Sequence, residues 1–282
     1  MACVICRGAG WIRRLDTSAT DRGTAGDDVV GLKGFERLYV RCPECGPQRE
    51  AAQHKHRWSN MQIPAYLANI SFVTYRTHAY VTDHQKDVSE TIEKWANRVA
   101  GELKFGILPF EHWLMLTGET GHGKTGLACC ALRVMTQAAS TGGVYVDMTT
   151  FIMQCRQAMN PPKDLPPEQK IGPDALVLRY SGAPILVIDD MGAERLTNWS
   201  LSEVLWPIIA NRYNEQRPTI ITTNLSGGEL FNTIANTPDC PNARVIAERI
   251  MARITERTGK NGVFRFGGVD MHDLRTGQTH VS

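Results

Sequence analysis

The stretch Gly118-Glu119-Thr120-Gly121-His122-Gly123-Lys124-Thr125 fits the pattern G-x-x-x-x-G-K-[ST], a loop built to hold a phosphate chain. Closely spaced glycines let the backbone curl until successive N–H groups face inward toward an anion. Lys124 adds a point charge for the β- and γ-phosphates, and the Thr125 hydroxyl can ligate Mg²⁺. A helix that starts here aims the positive end of its dipole at the same anions. Chance alone would place the four fixed positions together in roughly one chain in a hundred of this length. The flanks narrow the reading further. Upstream, Trp113-Leu114-Met115-Leu116 is a short apolar run suited to a buried strand, and residues 127–139 read as a helix with few breakers. Strand, loop, helix is the order the motif requires, so residues 118–125 are the expected ATP phosphate site.

Moving outward, strand and helix alternate. Gly143-Val144-Tyr145-Val146 reads as a strand and residues 150–159 as a helix, followed by a Pro- and Lys-bearing loop over 160–173. Pro184 introduces Ile185-Leu186-Val187-Ile188, a continuous apolar run expected of a strand buried on both faces. Residues 201–215 form a helical pattern with Val204, Leu205, Ile208, Ile209 and Tyr213 on one side, and Pro218 opens a further strand, Thr219-Ile220-Ile221-Thr222-Thr223. This alternation predicts an α/β fold, a parallel sheet flanked by crossover helices. Before the phosphate loop, residues 87–103 repeat apolar positions (Val88, Ile92, Trp95, Val99, Leu103) at helical spacing.

Two further features bear on chemistry. The strand 185–188 ends in Asp189-Asp190, 65 residues after Lys124. In a P-loop ATPase, paired acids at a buried strand end supply one carboxylate for Mg²⁺ and a second to orient or deprotonate the attacking water. The bland alternative is a solvated turn. Residues 244–254 are helical, with Arg249 and Arg253 four apart on one face. Such arginines are solvated or paired with Glu248 and Glu256, or one of them is an arginine finger offered to a neighbouring subunit's nucleotide.

The bulk composition excludes little but sets limits. A chain of 282 residues with 42% apolar content can bury a full core, one large domain plus an appendage. A net charge of +2 gives no global basic field, so any nucleic-acid contact must come from local patches. No apolar run approaches the roughly 20 residues of a membrane span and no signal-peptide pattern opens the chain, so a cytoplasmic protein with no membrane contact is expected. Of the eight cysteines, Cys129, Cys130, Cys155 and Cys240 read as reduced small hydrophobes. Cys3, Cys6, Cys42 and Cys45 are different: two C-x-x-C pairs supply the four thiolates that tetrahedral Zn²⁺ prefers. The 35 residues between the pairs must loop out or form an extra hairpin. The expected organisation is a Cys₄ zinc module over 1–48, a connecting and partner-contact region over 49–84, and an ATPase domain over 85–282. Arginines and aromatics in the module (Arg7, Arg13, Arg14, Arg37, Arg41, Trp11, Phe35, Tyr39) either contact single-stranded DNA or cover a small metal-stapled fold.

The combination GETGHGKT, ILVIDDMGAE and ITTNLS, followed by ERIMARI, resembles the DnaC/DnaI-type helicase loaders, AAA+ ATPases of bacteria and their phages related to the IstB transposition helpers. The resemblance covers roughly residue 63 to the C-terminus. Carried over by motif, it implies that Gly118, Glu119, Thr120, Gly121, His122, Gly123 and Lys124 bind phosphate. Thr125 and Asp189 would hold Mg²⁺, and Asp190 would sit at the catalytic-acid position. Asn224 would be sensor 1, the residue that senses the γ-phosphate, although it can equally cap the turn before Ser226. Arg253 falls where the family places its arginine finger. Residues 268–272 look like the family's last strand, with His272 standing where an arginine is common and Arg275 as a nearby substitute. The implied function is ATP-dependent loading of a hexameric replicative helicase onto single-stranded DNA, by a loader that self-associates and touches the helicase through its N-terminal region. An IstB-like helper acting on duplex DNA beside a transposase is the alternative; the Cys₄ module and the Asp-Asp-Met-Gly-Ala-Glu string favour the loader.

Overall fold

The structure is a computed structural model that describes residues 11–13, 39–41, 61–106, 110–162, 166 and 170–278. The chain divides into two compact units, Met1–Arg57 and Trp58–Ser282. In the first, β1 (Trp11–Arg13) and β2 (Tyr39–Arg41) pair antiparallel. The four cysteines expected to bind zinc lie outside the described residues.

The second unit is a parallel five-stranded sheet covered by helices on both faces. In chain order, α1 (Phe72–Arg76) and α2 (Asp83–Lys104) precede β3 (Trp113–Gly118), which leads into α3 (Lys124–Ala138). Then follow β4 (Gly143–Asp147), α4 (Met148–Met159), α5 (Pro173–Gly182) and β5 (Ile185–Asp189). The chain continues through α6 (Trp206–Asn214), β6 (Thr219–Thr223), α7 (Gly227–Ala235), α8 (Ala243–Thr258) and β7 (Val263–Phe266). The strand order is β4-β5-β6-β3-β7, and all four pairings are parallel.

Side-chain alternation divides the core in two. Trp113, Met115, Leu186, Ile188 and Ile221 face one layer, which holds Phe151, Val204, Ile208, Leu230 and Ile250. Leu114, Leu116, Ile185, Val187 and Ile220 face the other, with Ile92, Val99, Leu127 and Leu132. The central strands β3, β5 and β6 are buried along nearly their whole length and carry no charge before their carboxyl ends, whereas the edge strand β7 leaves Val263 and Arg265 exposed. Residues 61–81, read from the sequence as the end of a connecting segment, contribute Met61, Leu67, Phe72, Tyr75 and Val81 to this second layer. The Tyr145 N–H donates to the Met61 carbonyl at 2.7 Å, so the segment also satisfies part of the edge of β4.

Three local features differ from the sequence expectations. The last strand is Val263–Phe266, paired with β3 from Met115↔Val263 to Gly118↔Phe266, and not residues 268–272. Gly267 and Gly268, at φ 122° and 83°, turn the chain out of the sheet, and the Met271 N–H donates to Gly268 O across that turn at 3.4 Å. The helix expected over 201–215 opens as a π-helical stretch, Ser200–Leu205, before α6. Pro207 has no N–H and its ring crowds the preceding turn, and the Trp206 N–H reaches back five residues to Leu201 O. Finally, α7 starts directly at Gly227-Gly228, where a capping box offsets the glycines: Ser226 Oγ accepts from the Glu229 N–H and Glu229 accepts from the Ser226 N–H.

Candidate nucleotide-binding site

The carboxyl ends of β3, β5 and β6 open into one cavity of about 820 Å³, within the range of about 300–1,000 Å³ typical of small-molecule sites. Its position outside the carboxyl ends of parallel strands is where such sheets bind ligands. Thr120, Gly121, Gly123, Lys124 and Thr125 line it, together with Asp189, Asp190, Thr222 and Asn224. Residues spread over more than 100 positions of sequence therefore meet in one place.

The phosphate loop runs from the end of β3 to the start of α3, so the helix N-terminus faces the cavity as the motif requires. Gly121 holds φ 85°, a conformation that favours glycine, and a Cβ there would run into the Asp273 carboxylate of the C-terminal segment that crosses the loop. That segment is tied down by the Leu274 N–H, which donates to Gly121 O at 2.9 Å. The Lys124 ammonium donates to Gly118 O at 2.8 Å and to Glu119 O at 2.6 Å. Burial lowers its pKa to about 8, against the opposing pull of Asp190, Asp189 and Glu119.

Asp189 accepts from three hydroxyls. Thr222 donates to Oδ1 at 2.5 Å and Tyr145 to Oδ2 at 2.7 Å, while Thr125 Oγ1 lies 3.0 Å and 3.2 Å from the two oxygens. Asp190 sits in the left-handed region at φ 55°, one residue past the end of β5. Its N–H donates to Thr222 Oγ1 at 2.9 Å, and Asn224 Nδ2 donates to its Oδ1 at 2.6 Å. Burial, followed by the Asp189 and Asp147 charges, raises the Asp190 pKa, and Lys124 opposes the rise. Thr125 and Asp189 suit Mg²⁺, a hard cation that prefers oxygen ligands. Among the described residues no group of three or more His, Cys, Asp or Glu side chains is placed to hold a metal. Phosphate oxygens and water would therefore supply most of the coordination, as Mg²⁺ sites with bound nucleotide commonly arrange it.

Several cavity residues were not singled out from the sequence. Pro64, Tyr66, Leu67, Ile70 and Tyr75 form an apolar wall beside the phosphate loop, and Leu274 comes from the C-terminal segment, next to Arg275, the substitute that the family resemblance suggests. Tyr75 OH donates to His122 O at 3.3 Å. Arg275 is held bidentately by Asp273, with Nη2–Oδ2 2.6 Å. His272, in the turn after β7, is not among the cavity residues, whereas Arg275 is. Periodicity could have flagged Tyr145, which shares a sheet face with Asp147 one register step from Asp189; nothing local flags the others.

Arg253 does not line its own chain's cavity. Its guanidinium lies 4.6 Å from the Trp206 ring centroid and 4.9 Å from that of Tyr213, and Nη1 donates to Arg249 O at 3.2 Å. Arg257 continues the stack, 4.4 Å from Tyr213 and 4.9 Å from Phe110. The side chain expected to serve a neighbouring subunit thus lies among arginine–aromatic contacts on α6 and α8.

No protein-family model matches the chain. The replicative helicase loader DnaI of Bacillus subtilis (strain 168) is 32% identical to it over 238 residues, covering 80% of this chain and 67% of that protein. Among solved structures, a primosome component from Streptococcus pyogenes serotype M3 superposes with a TM-score of 0.53 at 18% identity, covering 78% of this chain and 97% of the other. A crystal structure of DnaI superposes with a TM-score of 0.51 at 23% identity, covering 73% and 95%. The structural likenesses carry the fold, the parallel sheet of the AAA+ loaders, and the sequence likeness carries the family. At that identity and coverage, the chain belongs to the DnaC/DnaI-type replicative helicase loaders.

Proposed function

We propose that this protein is an ATP-dependent loader that places a hexameric replicative helicase on single-stranded DNA. The observation that supports the ATPase part most directly is the convergence of Thr125, Asp189, Asp190 and Asn224 at one end of the sheet, beside Lys124. In this reading the loop amides and Lys124 bind the β- and γ-phosphates. Thr125 and Asp189 hold Mg²⁺, which when bound neutralises charge on the phosphate oxygens. Asp190 orients and deprotonates the attacking water, and Asn224, through its hydrogen bond to Asp190 Oδ1, fixes the direction of that carboxylate.

The remaining roles concern the assembly. Arg253 would reach the nucleotide of an adjacent copy, so ATP would order the subunits and hydrolysis would reset them. The N-terminal unit and the segment up to residue 84 would contact the helicase. The two C-x-x-C pairs, Cys3/Cys6 and Cys42/Cys45, would bind one Zn²⁺ and staple a module too small to fold on its own core. The setting would be the bacterial cytoplasm; among the described residues no helix is long and apolar enough to cross a membrane.

Co-purification with the cognate replicative helicase, with and without ATP, tests the loader assignment. Association is expected, and its absence in both conditions would sink the reading. Elemental analysis is expected to return one zinc per chain, lost in the Cys42→Ser/Cys45→Ser protein. Retention of the metal in that variant would refute the Cys₄ site.

A further inference from the structure

We propose that Tyr145 is a positioning residue for the Asp189 carboxylate, and through it for the divalent cation that accompanies a nucleotide. The inference rests on the nucleotide-site reading above. Tyr145 belongs to β4, the strand next to β5, and the register pairs it with Val187 while Asp147 pairs with Asp189. Tyr145 and Asp189 are thus diagonal neighbours on one sheet face, a separation that an aromatic side chain spans. The phenol donates to Asp189 Oδ2 at 2.7 Å.

The geometry distinguishes this contact from an incidental one. The ring is 7% exposed and packs in the core layer that also holds Met61, Leu127 and Leu132. The backbone of the same residue is fixed by its bond to Met61 O. The hydroxyl is therefore carried on a rigid arm. On the opposite side Thr222, from β6, holds Oδ1. Two hydroxyls from the strands flanking β5 thus fix the carboxylate plane, while Thr125 Oγ1 spans both oxygens at longer distance. Groups that hold a metal-binding carboxylate by hydrogen bonds set its orientation, and their loss typically weakens metal affinity by about 10–100-fold. Removing the phenol leaves Oδ2 with the Thr125 contact at 3.2 Å, and the carboxylate regains rotational freedom.

Tyr145→Phe keeps the ring and removes the hydroxyl. The test is equilibrium binding of a fluorescent N-methylanthraniloyl-ATP to the full-length protein, first in EDTA and then across a Mg²⁺ titration, with the melting temperature followed in parallel. The expected result is unchanged affinity in EDTA and a Mg²⁺ half-saturation point raised about tenfold. The same substitution in an Asp189→Asn background should add nothing, because the two act through one carboxylate. An unchanged Mg²⁺ dependence in Tyr145→Phe overturns the inference and leaves the nucleotide site standing. So does an equal loss of affinity in EDTA, which would make the hydroxyl merely structural. A wild-type protein that binds no nucleotide overturns the site reading and this inference with it.

Discussion

Lys124→Ala should lower ATP turnover at least about a hundredfold, the scale on which removing one preorganised electrostatic contact to a transition state acts. Among the described residues, no cation besides Lys124 and Arg275 lines the cavity. Arg275 lines the same cavity, but its guanidinium is engaged by both oxygens of Asp273. Folding should survive the change. Lys124 is 6% exposed, and burial, which disfavours the charged form more than Asp190, Asp189 and Glu119 favour it, lowers its pKa to about 8. Alanine removes that desolvation penalty along with the bonds to Gly118 O and Glu119 O, so the melting temperature without nucleotide should barely move. What should disappear is the rise in melting temperature when ATP is added, since stabilisation by a ligand scales with its affinity. Steady-state phosphate release and thermal melts with and without ATP check both halves. Equal turnover in wild type and variant would remove the loop from the mechanism.

A second large effect lies far from the chemistry. Arg212→Met should destabilise the second unit by about 3–5 kcal/mol, read from urea unfolding of the two proteins. Arg212 is fully buried on α6. Its Nε donates to Thr219 Oγ1 at 2.8 Å and Nη2 to Pro218 O at 2.5 Å. Nη1 donates to Tyr180 O, Ser181 O and Ala183 O at 3.1, 3.3 and 2.7 Å. Burial pulls the pKa downward, yet five oxygen acceptors around one guanidinium are an environment for the cation. The side chain closes the C-terminal end of α5, where carbonyls have no partner within the helix, onto the start of β6. Methionine fills similar volume but donates nothing. Pro218 O would retain the Leu186 N–H at 3.2 Å and Tyr180 O a long contact with the Ala183 N–H, leaving Ser181 O and Ala183 O most exposed to loss. Relief from burying a charge returns part of this, which is why the expected change is below the sum of five bonds. A variant within 1 kcal/mol of wild type would show that the carbonyls find other partners.

How much of this could be read from the sequence depends on whether the signal is contiguous. Residues 118–125 and Asp189-Asp190 are legible because phosphate binding and metal binding each demand several specific residues within one turn of chain. The strands 113–118, 185–189 and 219–223 are legible because burial on both faces writes runs of apolar and β-branched residues without a charge before the strand end. Thr222 is not, because it joins the site through sheet register; Tyr145 shows only as the residue alternating with Asp147, and Arg275 enters through the family resemblance rather than a local pattern. Thr222 in particular reads as an ordinary β-branched strand residue until β6 is known to lie between β3 and β5. Three helices, α1, α5 and α7, have no counterpart in the sequence reading, and the last two escape it for opposite reasons. Gly227-Gly228 disguises the start of α7 although Ser226 and Glu229 spell its capping box, and α5 begins at Pro173 immediately after a Pro-rich loop that drew attention as irregular chain. The last strand ends two residues before the segment 268–272 that the family resemblance implies, because Gly267-Gly268 turns the chain out of the sheet after Phe266.

The ring contacts around Arg253 have a consequence for any encounter in which that residue takes part. A surface arginine normally surrenders rotamer freedom when it docks, about 0.5–1.5 kcal/mol for each side chain immobilised. Stacked on Trp206 and Tyr213, with Nη1 tied to Arg249 O, Arg253 has surrendered most of that freedom in the isolated chain. Its reach is correspondingly fixed, like a peg of set length rather than a tether. In the proposed assembly, the adjacent copy would have to meet it at one distance and one angle, so small changes in tilt would switch that contact on or off.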